Sequence, residues 1–140
     1  MKMQVLYFSK YGAAQKLAYA VSTELQCKCD SIPPAYPPEN EKVIFIGMEN
    51  FGSPAKNIVE FCKTLTTARV KNVAFFAASK TGNAGFESLK STLTAKGINV
   101  IENSFECVVK HSIFGTGTPT DADLNNVKAW ASDIVNSLMQ

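Results

Sequence analysis

The chain has 140 residues, 46% of them hydrophobic and 19% charged, with a formal net charge of +2. That length is one domain's worth of chain, its apolar content excludes intrinsic disorder, and a charge of +2 in the first seventy residues and 0 in the last seventy excludes a nucleic-acid footprint. No apolar run reaches the roughly 18 residues of a membrane span, and the start, Met1-Lys2-Met3-Gln4, lacks a basic-then-apolar leader, so a cytoplasmic protein is expected, with Cys27, Cys29, Cys62 and Cys107 reduced and mostly buried.

In chain order, Met3–Phe8 reads as a strand. Ala13–Leu25 follows as a helix, with Leu17, Val21 and Leu25 on one face. Cys27–Ile32 is a short strand, in which alternation puts Cys27 and Cys29 on the same face as two buried thiols. Four prolines in 32–40 exclude a helix or central strand and make that stretch a surface connection. Val43–Gly47 is nearly all apolar, as a strand covered on both faces should be. Ser53-Pro54 has the chemistry of a helix start, and Ile58, Cys62 and Leu65 give that helix its stripe. Asn72–Ala78 is a second buried strand. Phe86, Leu89 and Leu93 mark a helix that Lys96-Gly97 ends. Ile98–Ile101 and Phe105–Val109 read as strand interrupted near Glu102-Asn103-Ser104. Gly115–Pro119 reads as a turn. The last helix opens with Thr120 and Asp123 at capping-box spacing and buries Leu124, Val127, Ala131, Ile134 and Leu138, with Trp130 as packing.

Strands alternating with helices predict one α/β domain over residues 1–140, its parallel sheet covered on both sides. Ligands of such sheets sit outside the carboxyl ends of the strands, which singles out three loops: 9–13, 48–53 and 79–86. The first, Ser9-Lys10-Tyr11-Gly12-Ala13-Ala14, joins a strand to a helix N-terminus, where free N–H groups and the helix dipole favour an anion. It is neither a Walker loop nor a G-x-G-x-x-G loop. Glu49 is read as a solvated loop carboxylate or, beside a redox cofactor, as a charge that lowers its potential. The lone His111 has no partners at metal-ligand spacing, so no metal site is expected.

Ser9-Lys10-Tyr11-Gly12 resembles the Ser-x-Thr-Gly phosphate loop of the flavodoxin family, and more closely the Ser-Lys-Tyr-Gly form of flavodoxin-like quinone-linked oxidoreductases. Gly47–Gly52, Gly82–Phe86 and Trp130–Ile134 resemble later family segments in the same order. The resemblance implies a flavodoxin-like three-layer α/β/α sandwich with a five-stranded parallel sheet in the order 2-1-3-4-5. It implies FMN as cofactor, one-electron transfer as function, a redox protein as partner and a monomer. Carried over, Ser9, Lys10, Tyr11, Gly12, Ala13 and Ala14 hold the phosphate. Asn50 belongs to the loop beside the flavin ring. Phe51 and Phe86 cover the two ring faces, Gly52 supplies a peptide that can turn, and Gly82 and Asn83 face the pyrimidine edge. Two departures stand out. Ala13 and Ala14 replace residues whose side chains bond the phosphate, and a charge of +2 replaces the family's usual acidity. They raise an alternative: a flavodoxin-fold protein that has lost FMN and serves as an interaction or regulatory module. A small quinone-linked flavoenzyme is the third reading.

Overall fold

The computed structural model describes residues 1–82 and 85–140. The elements are β1 (Met3–Phe8), α1 (Ala13–Leu25), β2 (Lys28–Ser31), β3 (Glu41–Asn50), α2 (Lys56–Thr64), β4 (Val70–Ser79), α3 (Glu87–Ala95), β5 (Asn99–Val100), β6 (Phe105–Val108), β7 (His111–Ser112), β8 (Gly115–Thr116) and α4 (Asp121–Leu138). The main sheet runs β2-β1-β3-β4-β5 with every pairing parallel, and β6 also pairs with β4.

Two features differ from the sequence expectation. The fifth strand is split, so the sheet has six strands. Val73 pairs with Val100 and Phe76 with Phe105, so three steps along β4 face five along the edge, and two residues are surplus. They loop out around Asn103, whose carbonyl accepts the Trp130 Nε1–H bond at 2.8 Å; the indole therefore packs the core and fastens the break. Gly115–Thr116, read as turn, instead pairs antiparallel with His111–Ser112 as a small hairpin.

Alternation along buried strands sorts side chains onto two faces. Val5, Tyr7, Val43, Phe45, Ala74 and Phe76 pack against α1 and α4. Leu6, Ile44, Ile46, Met48, Val73 and Phe75 pack against α2 and α3. Gly47 is required by this packing, because a Cβ there would lie 2.1 Å from the Phe76 ring. The α4 start has the expected capping box, Asp123 N–H donating to Thr120 Oγ1 and Thr120 N–H to the Asp123 carboxylate. Ser53 does not cap α2. Ala55 stays extended at ψ 148°, and the helix begins only at Lys56.

Cys62 and Cys107 are buried, while Cys27 and Cys29 are partly exposed rather than buried, packing their inner sides on the α1/α4 face. All four are free thiols. Burial pushes Cys27 and Cys29 up to about 11 and Cys62 and Cys107 to about 12, so none is an activated nucleophile. Among the described residues no helix is long and apolar enough to cross a membrane, and no group of three His, Cys, Asp or Glu is placed to hold a metal.

Candidate functional site

The carboxyl ends of β1, β3 and β4 bring the three predicted loops together. Gly12 is the pivot of the first. It takes φ +91° as the residue before α1, a conformation that needs no Cβ, and it turns the chain so that the N–H groups of the loop converge. They converge on a side chain of the protein itself. The Glu49 carboxylate, at the end of β3, accepts from Lys10 N–H at 2.8 Å, Tyr11 N–H at 3.1 Å, Ala14 N–H at 2.6 Å and the Ser9 hydroxyl at 2.5 Å. Ser9 Oγ also accepts from Gly12 N–H at 3.0 Å. Ala13 and Ala14 bury their methyl groups at 1% and 0% exposure, so the cradle has one side-chain donor, Ser9, and three backbone donors.

A second carboxylate closes the neighbouring loop in the same way. Ser79 ends β4. Its hydroxyl accepts from Gly82 N–H at 2.9 Å and donates to Glu106 of β6 at 3.1 Å, while Gly85 N–H donates to the other Glu106 oxygen at 3.1 Å. The loops share a sequence, Ser-Lys-Tyr-Gly at 9–12 and Ser-Lys-Thr-Gly at 79–82. Each uses its serine as a relay between a glycine N–H and a glutamate from an adjacent strand. Asn50, 1% exposed, joins the middle loop to this one: its amide donates to Gly85 O at 3.1 Å and its oxygen accepts from Gly52 N–H at 3.3 Å. Gly52 itself has φ +152°.

The two phenylalanines expected to flank a flavin are far apart in role. Phe86 is 3% exposed and stacks on Phe75, centroids 5.3 Å apart, inside the α2/α3 core; its ring is a core ring with no face toward the site. Phe51 is half-buried at the site, but its face carries the His111 imidazole, 3.9 Å away and tilted by only 4°. Tyr11 closes the group edge-on, 4.8 Å from His111 and 5.7 Å from Phe51. His111 Nδ1 is 2.7 Å from Thr116 Oγ1, which fixes the imidazole from the hairpin side. Asn83 lies outside the described residues.

The residues present do not fit FMN in this arrangement. A phosphate would enter a cradle whose donors are satisfied by Glu49 and would meet that carboxylate's like charge. The place of a ring on Phe51 is taken by His111. The cavity left between Phe8, Lys10, Tyr11, Glu49, Phe51 and His111 is about 280 Å³. A larger groove, about 720 Å³, lies between the proline-rich loop and α2, lined by Pro33, Pro37, Phe61 and Arg69 among others; among the described residues none of the predicted site residues lines it. Sequence reasoning did not find Glu106 and assigned His111 no partner. The recurrence of Ser-Lys-x-Gly was the available signal for the second clamp.

No protein-family model and no curated protein matches this sequence. Solved structures do match in shape. A flavodoxin from the domain Archaea superposes with a TM-score of 0.81 at 18% identity, covering 100% of both chains. Flavodoxin 2 of Bacillus cereus gives 0.74 at 14% identity, over 98% of this chain and 99% of that one. The Flv1 flavodiiron core of Synechocystis gives 0.74 at 13% identity, over 99% of this chain and 36% of that longer one. Likeness at such identities is likeness of architecture, and with the 2-1-3-4-5 strand order and helices on both faces the chain has the flavodoxin-like fold.

Proposed function

We propose that this chain is a flavodoxin-fold protein that acts by binding a macromolecular partner, with its phosphate loop satisfied from within. The observation that carries this reading is the Glu49 carboxylate, which accepts four hydrogen bonds from the loop that would otherwise take a phosphate. Hydrogen bonds to a charged group contribute roughly 1.5–3 kcal/mol each, so an incoming phosphate must first displace a well-held anion. The buried Phe86 and the His111 imidazole on Phe51 support the same reading. Glu49, Glu106 and Asn50 tie described residues of the loops to one another, and a surface ordered in advance costs binding less entropy.

A second reading, an FMN protein that transfers electrons, is favoured by one observation: three N–H groups and a hydroxyl do converge on a single anion. If FMN bound, the flavin would supply the redox chemistry, and Ser9 with the backbone of Lys10, Tyr11 and Ala14 would hold its phosphate. The small quinone-linked flavoenzyme depends on the same event.

Titration with FMN separates the readings. The purified protein is expected to be colourless and to leave FMN fluorescence unquenched at high micromolar flavin. Saturable quenching at one equivalent would transfer the conclusion to the second reading.

A further inference from the structure

The loops at the carboxyl end of the sheet turn their carboxylates inward and their cations outward. Glu49 is engaged by Ser9 and the start of α1, and Glu106 by Ser79 and Gly85. Lys10, Lys80 and Lys110 follow the ends of β1, β4 and β6, and all three are exposed. A groove of about 590 Å³ is lined by Lys80, Val108, Val109, Lys110, His111 and Ser112, two lysines and no carboxylate. His111 also lines the cavity above Phe51, so the two hollows share a wall. Of the carboxylates that follow or precede these lysines along the chain, Glu87 stands in the first turn of α3 and Glu102 before β6, while Asp121 and Asp123 sit in the first turn of α4, where Asp123 is committed to the capping box.

Beside the groove stands the β7–β8 hairpin. Ser112 pairs with Gly115, which leaves Ile113 and Phe114 as its tip, each 94% exposed. Two-residue tips are ordinarily Asn, Asp or Gly, because those residues tolerate the turn. Ile and Phe offer the turn nothing and have no core to enter. Val108, 58% exposed, and Tyr11, 43% exposed, continue the apolar surface. Exposed Phe, Tyr and aliphatic side chains thus stand beside lysines that form no ion pair among the described residues, Lys10 lying over the Tyr11 ring at 5.5 Å: an apolar centre with a charged rim, as protein interfaces have.

We propose that this face docks an acidic protein segment carrying apolar side chains. The segment lies along the Lys80–Lys110 groove. Its carboxylates meet Lys10, Lys80 and Lys110, and its apolar residues pack on Val108, Ile113 and Phe114. The hollows on either side of His111 are concave and carry Lys10, Lys80 and Lys110 at their edges, which complements the carboxylates of an extended acidic segment. This inference rests on the reading of the chain as an interaction module, and its readout does not involve flavin.

The probe is a labelled ten-residue peptide with a central Leu-Phe flanked by four glutamates on each side, followed by fluorescence anisotropy on flavin-free protein. The acidic peptide is expected to bind. Its affinity should fall at least tenfold when lysines replace the glutamates, when Ser-Ser replaces Leu-Phe, and in the variants Ile113→Ser/Phe114→Ser and Lys80→Glu/Lys110→Glu. Lys16→Glu/Lys128→Glu, on the helices, should leave it unchanged. All these positions are surface ones, and thermal melts verify that each variant is folded. Absent binding, or equal binding of the lysine-flanked peptide, overturns the proposal. So does cosedimentation with vesicles of 70% phosphatidylcholine and 30% phosphatidylserine by a protein that ignores the peptide. A protein that binds both FMN and the acidic peptide would refute the proposed function and keep this surface.

Discussion

Glu49 and Ser9 are 40 positions apart in the chain, yet their side chains form the shortest contact at the site. The strength of that contact comes from charge: a carboxylate facing backbone N–H groups at a helix start is favoured both by hydrogen bonding and by the helix dipole. Glu49→Ala removes the acceptor and leaves the N–H groups to water. The variant is expected to lose about 2 kcal/mol of stability, read as a fall in Tm of about 6 °C for a domain of this size. Inorganic phosphate should raise the variant's Tm by several degrees more than the wild type's, since an anion bound only by the folded state stabilises it. Equal shifts would mean that Glu49 does not occupy an anion site. In sequence, Glu49 reads equally well as a solvated loop residue, and only its partners distinguish the two roles. His111 is a similar case: nothing in its neighbours along the chain points to Phe51, 60 positions away.

At the scale of elements, β3 shows how burial tunes a charge. Its first residue, Glu41, is 4% exposed, accepts from Gln4 Nε2 at 3.1 Å and leaves Oε2 without a partner. Burial raises its carboxyl above the ordinary 4.5, against the opposing pull of Lys2 and Lys28. A raised acid binds its proton more tightly when folded, so stability declines as pH rises from about 4.5 through the raised folded value. Glu41→Gln keeps an acceptor for Gln4 and removes the ionisation. Thermal melts are expected to show the variant at least as stable as wild type at pH 7, with its advantage shrinking as pH falls to 4.5. A loss of several degrees at pH 7 would instead assign the larger share to the Lys2 ion pair, 4.0 Å away. The edge strand teaches a different lesson. A break near residues 102–104 is legible in Glu102-Asn103-Ser104, but what holds it, the Trp130 bond to Asn103 O, is a contact between a helix and a loop that periodicity does not encode.

For the whole molecule, the parallel sheet concentrates protection at its centre. β1, β3 and β4 are hydrogen-bonded on both sides and covered by helices on both faces. β2, β5 and the β7–β8 hairpin are short and lie at edges or outside the sheet. Local openings draw on the least-packed elements, so hydrogen exchange followed by mass spectrometry should find the slowest amides in β3 and β4 and the fastest in the hairpin. Exchange in β3 as fast as in β2 would contradict its central place. The loops at the carboxyl end of the sheet are thus carried by the protected strands, while the apolar hairpin tip projects from the periphery.

The sequence by itself determined the elements and their covering. Alternating apolar runs, the stripe of α1, the Thr120–Asp123 capping box and the terminating Gly97 are local signals, because helix and strand periods and capping chemistry act over a few residues. Together with the Ser-Lys-Tyr-Gly loop they were enough to anticipate the flavodoxin-like order of strands. Only the tertiary structure decided which groups the loops serve. Register across β1 and β3 puts Glu49 next to Ser9, the pairing of β6 with β4 carries Glu106 to the Ser79 loop, and the helix packing turns Phe86 inward while Phe51 meets His111. Those outcomes depend on which distant segments become neighbours. The donors and acceptors of a strand-end loop are visible in a sequence; the partner that satisfies them is fixed only when the sheet is assembled.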